Sequence, residues 1–324
     1  MGSDSVHMHD TTAKQAVVIG GANIDIFGFS RQKLVLHDSN PGVVKTSPGG
    51  VGRNIAENLA RLGVQVSFIT ALGSDPNGKM LLDICLEAGI GMSRTIISNE
   101  MPTSVYMAIM DESGDMHAGV NHMDILSLVT SQYIDSCSDV IERADVLVVD
   151  ANLYEETIVH IVDRFSDMPV FADPISTAKA MRMRSSLSRI HTLKPNALQA
   201  AALSGVDAPG SDQVVEASNR LVEMGVGRVF TTLGAAGVYC IGDGQRFRFH
   251  TPPVTMVNAT GAGDAFTAGL VYAYLNGMGI RETAAFASAL AALTVQSVQP
   301  ICPDLDAAGA WSAYNTVLKE GTFE

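Results

Sequence analysis

The stretch Asn258-Ala259-Thr260-Gly261-Ala262-Gly263-Asp264 runs straight into Ala265-Phe266-Thr267-Ala268-Gly269-Leu270, and it constrains this chain more than any other segment. Two glycines within three residues let the backbone approach a ligand closely, and the small, apolar run after them reads as a helix starting there. Free N–H groups and the positive end of the helix dipole then favour a phosphate or a developing negative charge at Gly261 to Gly263. Asp264 sits oddly in such a place, because a carboxylate repels phosphate. Two readings stand at this point: Asp264 takes the proton of a hydroxyl attacking a γ-phosphate, or it decorates the first turn of a helix after a glycine-rich turn. The segment is neither Gly-x-x-x-x-Gly-Lys-Ser/Thr nor Gly-x-Gly-x-x-Gly, since Phe266 stands where the third glycine would fall.

The rest of the chain supplies the context. Ala16-Val17-Val18-Ile19-Gly20-Gly21 reads as a buried first strand, with Asn23 and Asp25 just past its end, where open α/β sheets hold their ligands. Short strands follow between Ile26 and Ser47, interrupted by the turn Asp38-Ser39-Asn40-Pro41-Gly42. A second glycine cluster, Pro48-Gly49-Gly50-Val51-Gly52-Arg53-Asn54, feeds a helix with Ile55, Leu59 and Leu62 on one face and Arg53, Glu57 and Arg61 on the other. Thr103 to Met110 and Met116 to Val120 form a hairpin that joins the earlier strands in a small separate sheet. Beyond it the pattern alternates: helix Ser131 to Ile141, strand Asp145 to Asp150, helix Tyr154 to Phe165, strands Val170 to Ala172 and Thr192 to Lys194. Helices Ala197 to Leu203 and Gln213 to Met224, strand Arg228 to Leu233 and two further strands up to His250 come next, with helices after Thr260. One αβα domain from residue 15 to 324, with small-sheet strands from about 26–47 and 103–121, is the economical organisation.

Composition narrows the partners. With 324 residues, 47% of them hydrophobic, the chain can bury a large core. A formal net charge of −13 argues against nucleic acid polymers and anionic membranes, which need a basic footprint. The four cysteines are far apart with no Cys-x-x-Cys pair, so neither a zinc site nor a disulfide framework is suggested. Residues 1–14, including His7-Met8-His9, read as a disordered leader or cloning remnant without function. No membrane span is evident, and a cytoplasmic protein is expected.

The two glycine clusters, the first followed by Arg53-Asn54 and the second ending in Asp264, resemble the paired signatures of the PfkB, or ribokinase-like, carbohydrate and nucleoside kinases. The likeness runs from Ala16 to about Val298, because Asn23-x-Asp25, Lys194-Pro195-Asn196 and Thr232-Leu233-Gly234-x-x-Gly237 fall in the family's order. The resemblance implies a ribokinase-like αβα sandwich with a small β-sheet lid, often a homodimer surface. It implies transfer of the γ-phosphoryl of ATP, with Mg2+, to the 5′-hydroxyl of a nucleoside, with pseudouridine the expected acceptor. Asp264 would be the base and the Gly261, Ala262 and Gly263 amides the anion hole. Asn23, Asp25, Gly49, Gly50, Asn54 and Asn152 would hold the acceptor. Asn40, with Asp38 and Ser39, and Asn121, with His122, would read the base from the lid. Lys194, Asn196, Thr232, Gly234, Gly237 and Ser288 would border the nucleotide.

Two departures from the family pattern stand out. Asn258 occupies a position where the family has an aspartate beside a monovalent cation, so K+ binding would be weak. Asn196-Ala197-Leu198-Gln199 replaces Asn-x-x-Glu, leaving Asn196 and Gln199 to meet magnesium through water with one charge fewer. The rivals to a nucleoside kinase are a ribose kinase of the same family and a catalytically silent sugar- or nucleoside-binding relative.

Overall fold

The computed structural model describes residues 13–207 and 210–324; the leader expected at 1–14 lies, up to residue 12, outside them. Its backbone is a nine-stranded sheet whose order is Thr322–Phe323, Gln245–His250, Val238–Gly242, Arg228–Thr232, Thr192–Leu193, Val170–Asp173, Val146–Asp150, Gln15–Ile19 and Gln65–Ile69. The six strands from Arg228–Thr232 to Gln65–Ile69 are parallel, and the three at the other edge are antiparallel. Parallel strands are covered on both faces, which is why Val17-Val18-Ile19 and Val146-Leu147-Val148-Val149 are unbroken apolar runs. Val18, Val146 and Val148 pack on one side with the helices Val51–Arg61, Ala262–Leu275, Ile280–Val295 and Ala307–Glu320. Val17, Ile19, Leu147 and Val149 pack on the other with Glu155–Arg164, Ala197–Ser204 and Ser211–Glu223. The αβα sandwich expected from the sequence is thus present.

A second sheet of four strands stands apart, in the order Gly42–Gly49, Asn23–Ser30, Val105–Met110, Met116–His122. Its root is longer than the sequence suggests. Asn23 and Asp25 belong to a strand paired with Gly49 and Ser47, not to the loop after the first strand. The outer face carries Val44, Met107, Ile109 and Val120, all exposed.

The helix expected over Ser131 to Ile141 is instead two, Ser131–Ser136 and Ser138–Ile141, with Cys137 between them. The serine hydroxyls explain the break: Ser136 Oγ donates to Tyr133 O at 2.6 Å and Ser138 Oγ to Asp135 O at 2.8 Å, competing with the helical ladder. A 3-10 segment, Met181–Arg189, and a last short strand, Thr322–Phe323, have no counterpart in the sequence reading. Arg53 and Glu57, expected on a polar outer face, are only 2% and 6% exposed. Arg53 donates to Gly49 O, Pro48 O, Glu57 and Asn54, so it fastens the glycine cluster to the helix that follows it.

Candidate active site

The carboxyl ends of the parallel strands and the root of the small sheet meet in one cleft. Its floor is the start of the Ala262–Leu275 helix, which has no side-chain cap; apart from the Ala262 N–H, which donates to Ala259 O at 3.4 Å, its first-turn N–H groups are open to a ligand. Gly261 enters the helix with φ 84, and a Cβ there would lie 1.8 Å from Pro300 O. Only glycine meets both demands.

Asp264 is half-buried on this floor, and its Oδ2 accepts from Asn54 Nδ2 at 2.6 Å. Asn54 belongs to the other glycine cluster, so this bond joins segments far apart in sequence. Burial, and next the nearby Asp173 carboxylate, push the Asp264 pKa up to about 7; the Asn54 amide and the Lys194 ammonium oppose that rise. A carboxylate poised near neutrality is suited to taking a proton and returning it. Directly beneath, Lys194 Nζ lies 2.9 Å from Asp173 Oδ2 and donates to Gly263 O at 3.4 Å. Thr267 Oγ1 donates to the same Asp173 oxygen at 2.9 Å. Lys194, expected against the nucleotide, is therefore engaged with Asp173 under the cradle.

On the acceptor side, Asn23 Nδ2 donates to Asp25 Oδ1 at 2.7 Å, and burial raises the Asp25 pKa. A Cβ at Gly49 would fall 2.3 Å from Asp25 Oδ2, and Gly50 has φ 99, so both glycines are dictated by close approach or backbone conformation. The sequence reading missed Asp150, whose carboxylate has no local motif. Fully buried, it accepts from the backbone N–H of Gly21 and Gly52, each at 2.8 Å, and from that of Asn152 at 2.9 Å. It thereby caps the Val51–Arg61 helix from a distant strand and ties both glycine loops to the central sheet.

Several expected contacts take another form. Asn40 does not reach the cleft as a base reader: its Oδ1 accepts from Val35 N–H at 2.8 Å, and its Nδ2 donates to Val35 O and Asp38 O, closing its own loop. Asn40 also lines a separate cavity of about 500 Å³ at the edge of the small sheet. Asn152 is 5% exposed and spans Asp150 and Lys179, accepting from Lys179 Nζ at 2.6 Å, behind Gly21. Asn121 is exposed on the small sheet, paired with Tyr106.

Asn196 and Gln199 form a capping box for the Ala197–Ser204 helix, in which each side-chain oxygen accepts the other's backbone N–H at 2.9 and 2.8 Å. The Asn-x-x-Gln spacing is that of a cap, and each side-chain oxygen already accepts one backbone N–H. Asn258 is likewise a clamp: Nδ2 donates to Val298 O at 3.0 Å and Oδ1 accepts from Thr260 N–H at 3.0 Å. Its amide therefore bridges the start of the glycine cluster to the segment around Val298.

Next to the floor opens a cavity of about 630 Å³ lined by Thr232, Gly234, Gly237, Ala262, Gly263 and Ser288, so these residues do come together. Ala291 and Ala292 keep one wall flat, while Pro252, Pro253, Val254 and Met256, which carry no motif, form another. Among the described residues no group of three or more His, Cys, Asp or Glu is placed to hold a metal, and no helix is long and apolar enough to cross a membrane.

The pfkB family carbohydrate kinase model matches residues 13–307. The chain belongs to that family. A pseudouridine kinase of Escherichia coli strain K12 is 38% identical to this pfkB kinase over 297 residues, covering 91% of this chain and 95% of that one. The uncharacterized sugar kinase YeiI of the same strain is 35% identical, covering 93% and 84%. Among solved structures, a carbohydrate kinase from Agrobacterium tumefaciens superposes with a TM-score of 0.82 at 30% identity, covering 96% of this chain and all 100% of that one. A ribokinase from Thermotoga maritima superposes with a TM-score of 0.80 at 24% identity, covering 95% and 100%. The ribokinase-like fold is therefore borne out, and the pfkB kinase is a sugar or nucleoside phosphotransferase with an alcohol acceptor.

Proposed function

We propose that this kinase transfers the γ-phosphoryl group of ATP to the 5′-hydroxyl of pseudouridine. The observation that carries the reading is the Asp264 carboxylate, raised to about 7 and held by Asn54 between an uncapped helix start and the Asn23–Asp25 pair. In this reading the 5′-oxygen attacks the γ-phosphorus in line, its proton passes to Asp264, and the bond to the bridging oxygen breaks, so that ADP leaves. The open amides of the Ala262–Leu275 helix take the charge that develops on the phosphoryl oxygens. Lys194, paired with Asp173 and bonded to Gly263 O, supports them from beneath. Asp25, oriented by Asn23, grips the sugar hydroxyls, and the adenine lies in the cavity bordered by Thr232, Gly237 and Ser288.

The likeness to the E. coli pseudouridine kinase over nearly the whole of both chains supports the acceptor. The physical basis of such a preference is one atom: the carbon-linked base keeps a ring N–H that uridine lacks, and a buried acceptor left unpaired by uridine costs ~1–3 kcal/mol. The likeness to YeiI favours a second reading, in which a simple sugar such as ribose is the acceptor. Magnesium fits as a companion of the nucleotide, held by phosphates and water, because Asn196 and Gln199 are committed to a helix cap. When bound there it supplies charge neutralisation on the phosphates. Potassium should activate weakly, since the Asn258 amide already bridges to Val298; potassium titrated against activity in wild type and Asn258→Asp checks this, with sharper dependence expected in the variant. The apolar outer face with Val44, Met107, Ile109 and Val120 supports a homodimer through a small sheet acting as a lid.

The deciding experiment compares kcat/KM for pseudouridine, uridine, adenosine and ribose under saturating magnesium and ATP. Preference for pseudouridine is expected; uridine or ribose equal to it or better would defeat the named acceptor.

A further inference from the structure

The cavity of about 630 Å³ beside the floor is walled by groups that do not tell one purine from another. Its walls are mostly alanine, glycine, proline and larger apolar side chains, and its polar side chains are three hydroxyls, those of Thr232, Thr251 and Ser288. Among the described residues no carboxylate, carboxamide, imidazole or cationic side chain lines it. Thr232 Oγ1 already donates to Pro195 O at 3.4 Å. Ser288 is different: it is only 4% exposed, yet its hydroxyl is bonded to no other described group of the chain. A buried hydroxyl is costly to leave unpaired, so this one is placed for a ligand to meet.

The backbone of the walls is largely spent on itself. Ser288 and Ala291 lie inside the Ile280–Val295 helix, where N–H and C=O groups serve the helical ladder. Val295 O accepts from the N–H groups of Val257 and Asn258 at 2.7 and 3.1 Å. In the turn after Thr232, Leu233 N–H donates to Gly237 O at 2.8 Å and Gly237 N–H to Gly234 O at 3.1 Å. Residues 251–256 have no regular structure, and beyond Pro252 and Pro253 each carries both an N–H and a C=O. Such a stretch offers a donor to a ring oxygen as readily as an acceptor to a ring amino group. The Ser288 hydroxyl has the same ambivalence, because it turns to donate or to accept. A base is rejected where a fixed donor or acceptor is left stranded, and this cavity has no side chain of that kind.

We propose that this cavity selects its phosphoryl donor by the flat apolar shape of a purine, with the Ser288 hydroxyl meeting either kind of ring edge, so that GTP and ITP serve alongside ATP. The inference rests on the donor cavity of the reading above and widens it to a class of donors. The γ-phosphoryl passes from GTP to the same acceptor hydroxyl, whose proton goes to Asp264, and GDP leaves. The test has two arms. Calorimetric titration with ADP, GDP, IDP and CDP, each with magnesium, reads the cavity without any acceptor. The second arm compares kcat/KM for ATP, GTP and ITP with pseudouridine, or with ribose where only ribose is phosphorylated. ADP, GDP and IDP should bind within tenfold of one another, and their triphosphates should serve within tenfold. CDP, whose single ring covers less of the walls, should bind more than tenfold more weakly. Ser288→Ala, its folding checked by thermal melting, should weaken ADP and GDP by the same few-fold factor. A guanine or hypoxanthine nucleotide more than tenfold below its adenine counterpart overturns the inference and leaves the ATP reading standing. So does CDP as tight as ADP, or a Ser288→Ala loss that is confined to one base or absent for both. Binding of none of the four diphosphates overturns the donor cavity itself.

Discussion

Replacing Asp264 by asparagine separates the chemistry of this carboxylate from its cost to the fold. Asparagine keeps the shape and can still accept from Asn54, but it neither titrates nor takes a proton. In the wild type the group moves from an ordinary 3.8 to about 7 on folding. A carboxyl whose folded pKa is raised costs nothing below the unfolded value; the penalty grows as pH rises and is complete above the folded value. Three units at 1.36 kcal/mol each set an upper bound of about 4 kcal/mol, which partial solvent access reduces. Urea denaturation of both proteins at pH 5 and pH 8 measures it. The stability of Asp264→Asn relative to wild type should rise by about 1–3 kcal/mol between those two pH values, while phosphoryl transfer falls ~10²–10⁴-fold and acceptor binding persists. A stability difference that does not change with pH would refute the raised pKa, and turnover within a few-fold of wild type would refute the base.

Asn54→Ala removes a donor to the Asp264 carboxylate, so the pKa climbs further and the acid limb of the kcat/KM profile should move to higher pH; an unmoved limb would mean that another group sets it. Gly261→Ala forces a left-handed φ on alanine and drives its Cβ into Pro300 O, and should cost about 2 kcal/mol or more in urea denaturation, with transfer largely lost. Gln199→Glu preserves the capping box and should leave the magnesium concentration for half activity unchanged; a marked fall would return this position to the metal.

What the sequence made legible is local. Both glycine clusters, the helices they open and the aspartate after the second were readable because backbone conformation and helix starts are written in neighbouring residues. Asp150 and Asp173 were not, since their partners Gly21, Gly52, Lys194 and Thr267 come from other strands and helices and share no spacing with them. Arg53 and Glu57 were misread for a related reason. Period alone puts charges opposite Ile55 and Leu59, but it does not reveal that Arg53 turns onto the Gly49 and Pro48 carbonyls and pairs with Glu57, both of them buried. Asn196 and Gln199 carried a legible capping signal that the likeness to a metal-binding pattern outweighed.

The Asp150 carboxylate has a mechanical consequence. One oxygen holds Gly21, just before the strand Asn23–Ser30, and Gly52, just after the strand Gly42–Gly49, so one edge strand of the small sheet and its neighbour are both tied at their roots to a single buried carboxylate in the main sheet. A rotation of the small sheet about this carboxylate would displace Gly21 and Gly52 least and the loop at residues 31–41 most. The Asn23–Asp25 pair is therefore tied to the main sheet within a few residues of this carboxylate, while the loop at residues 31–41 lies at the opposite end of the same two strands.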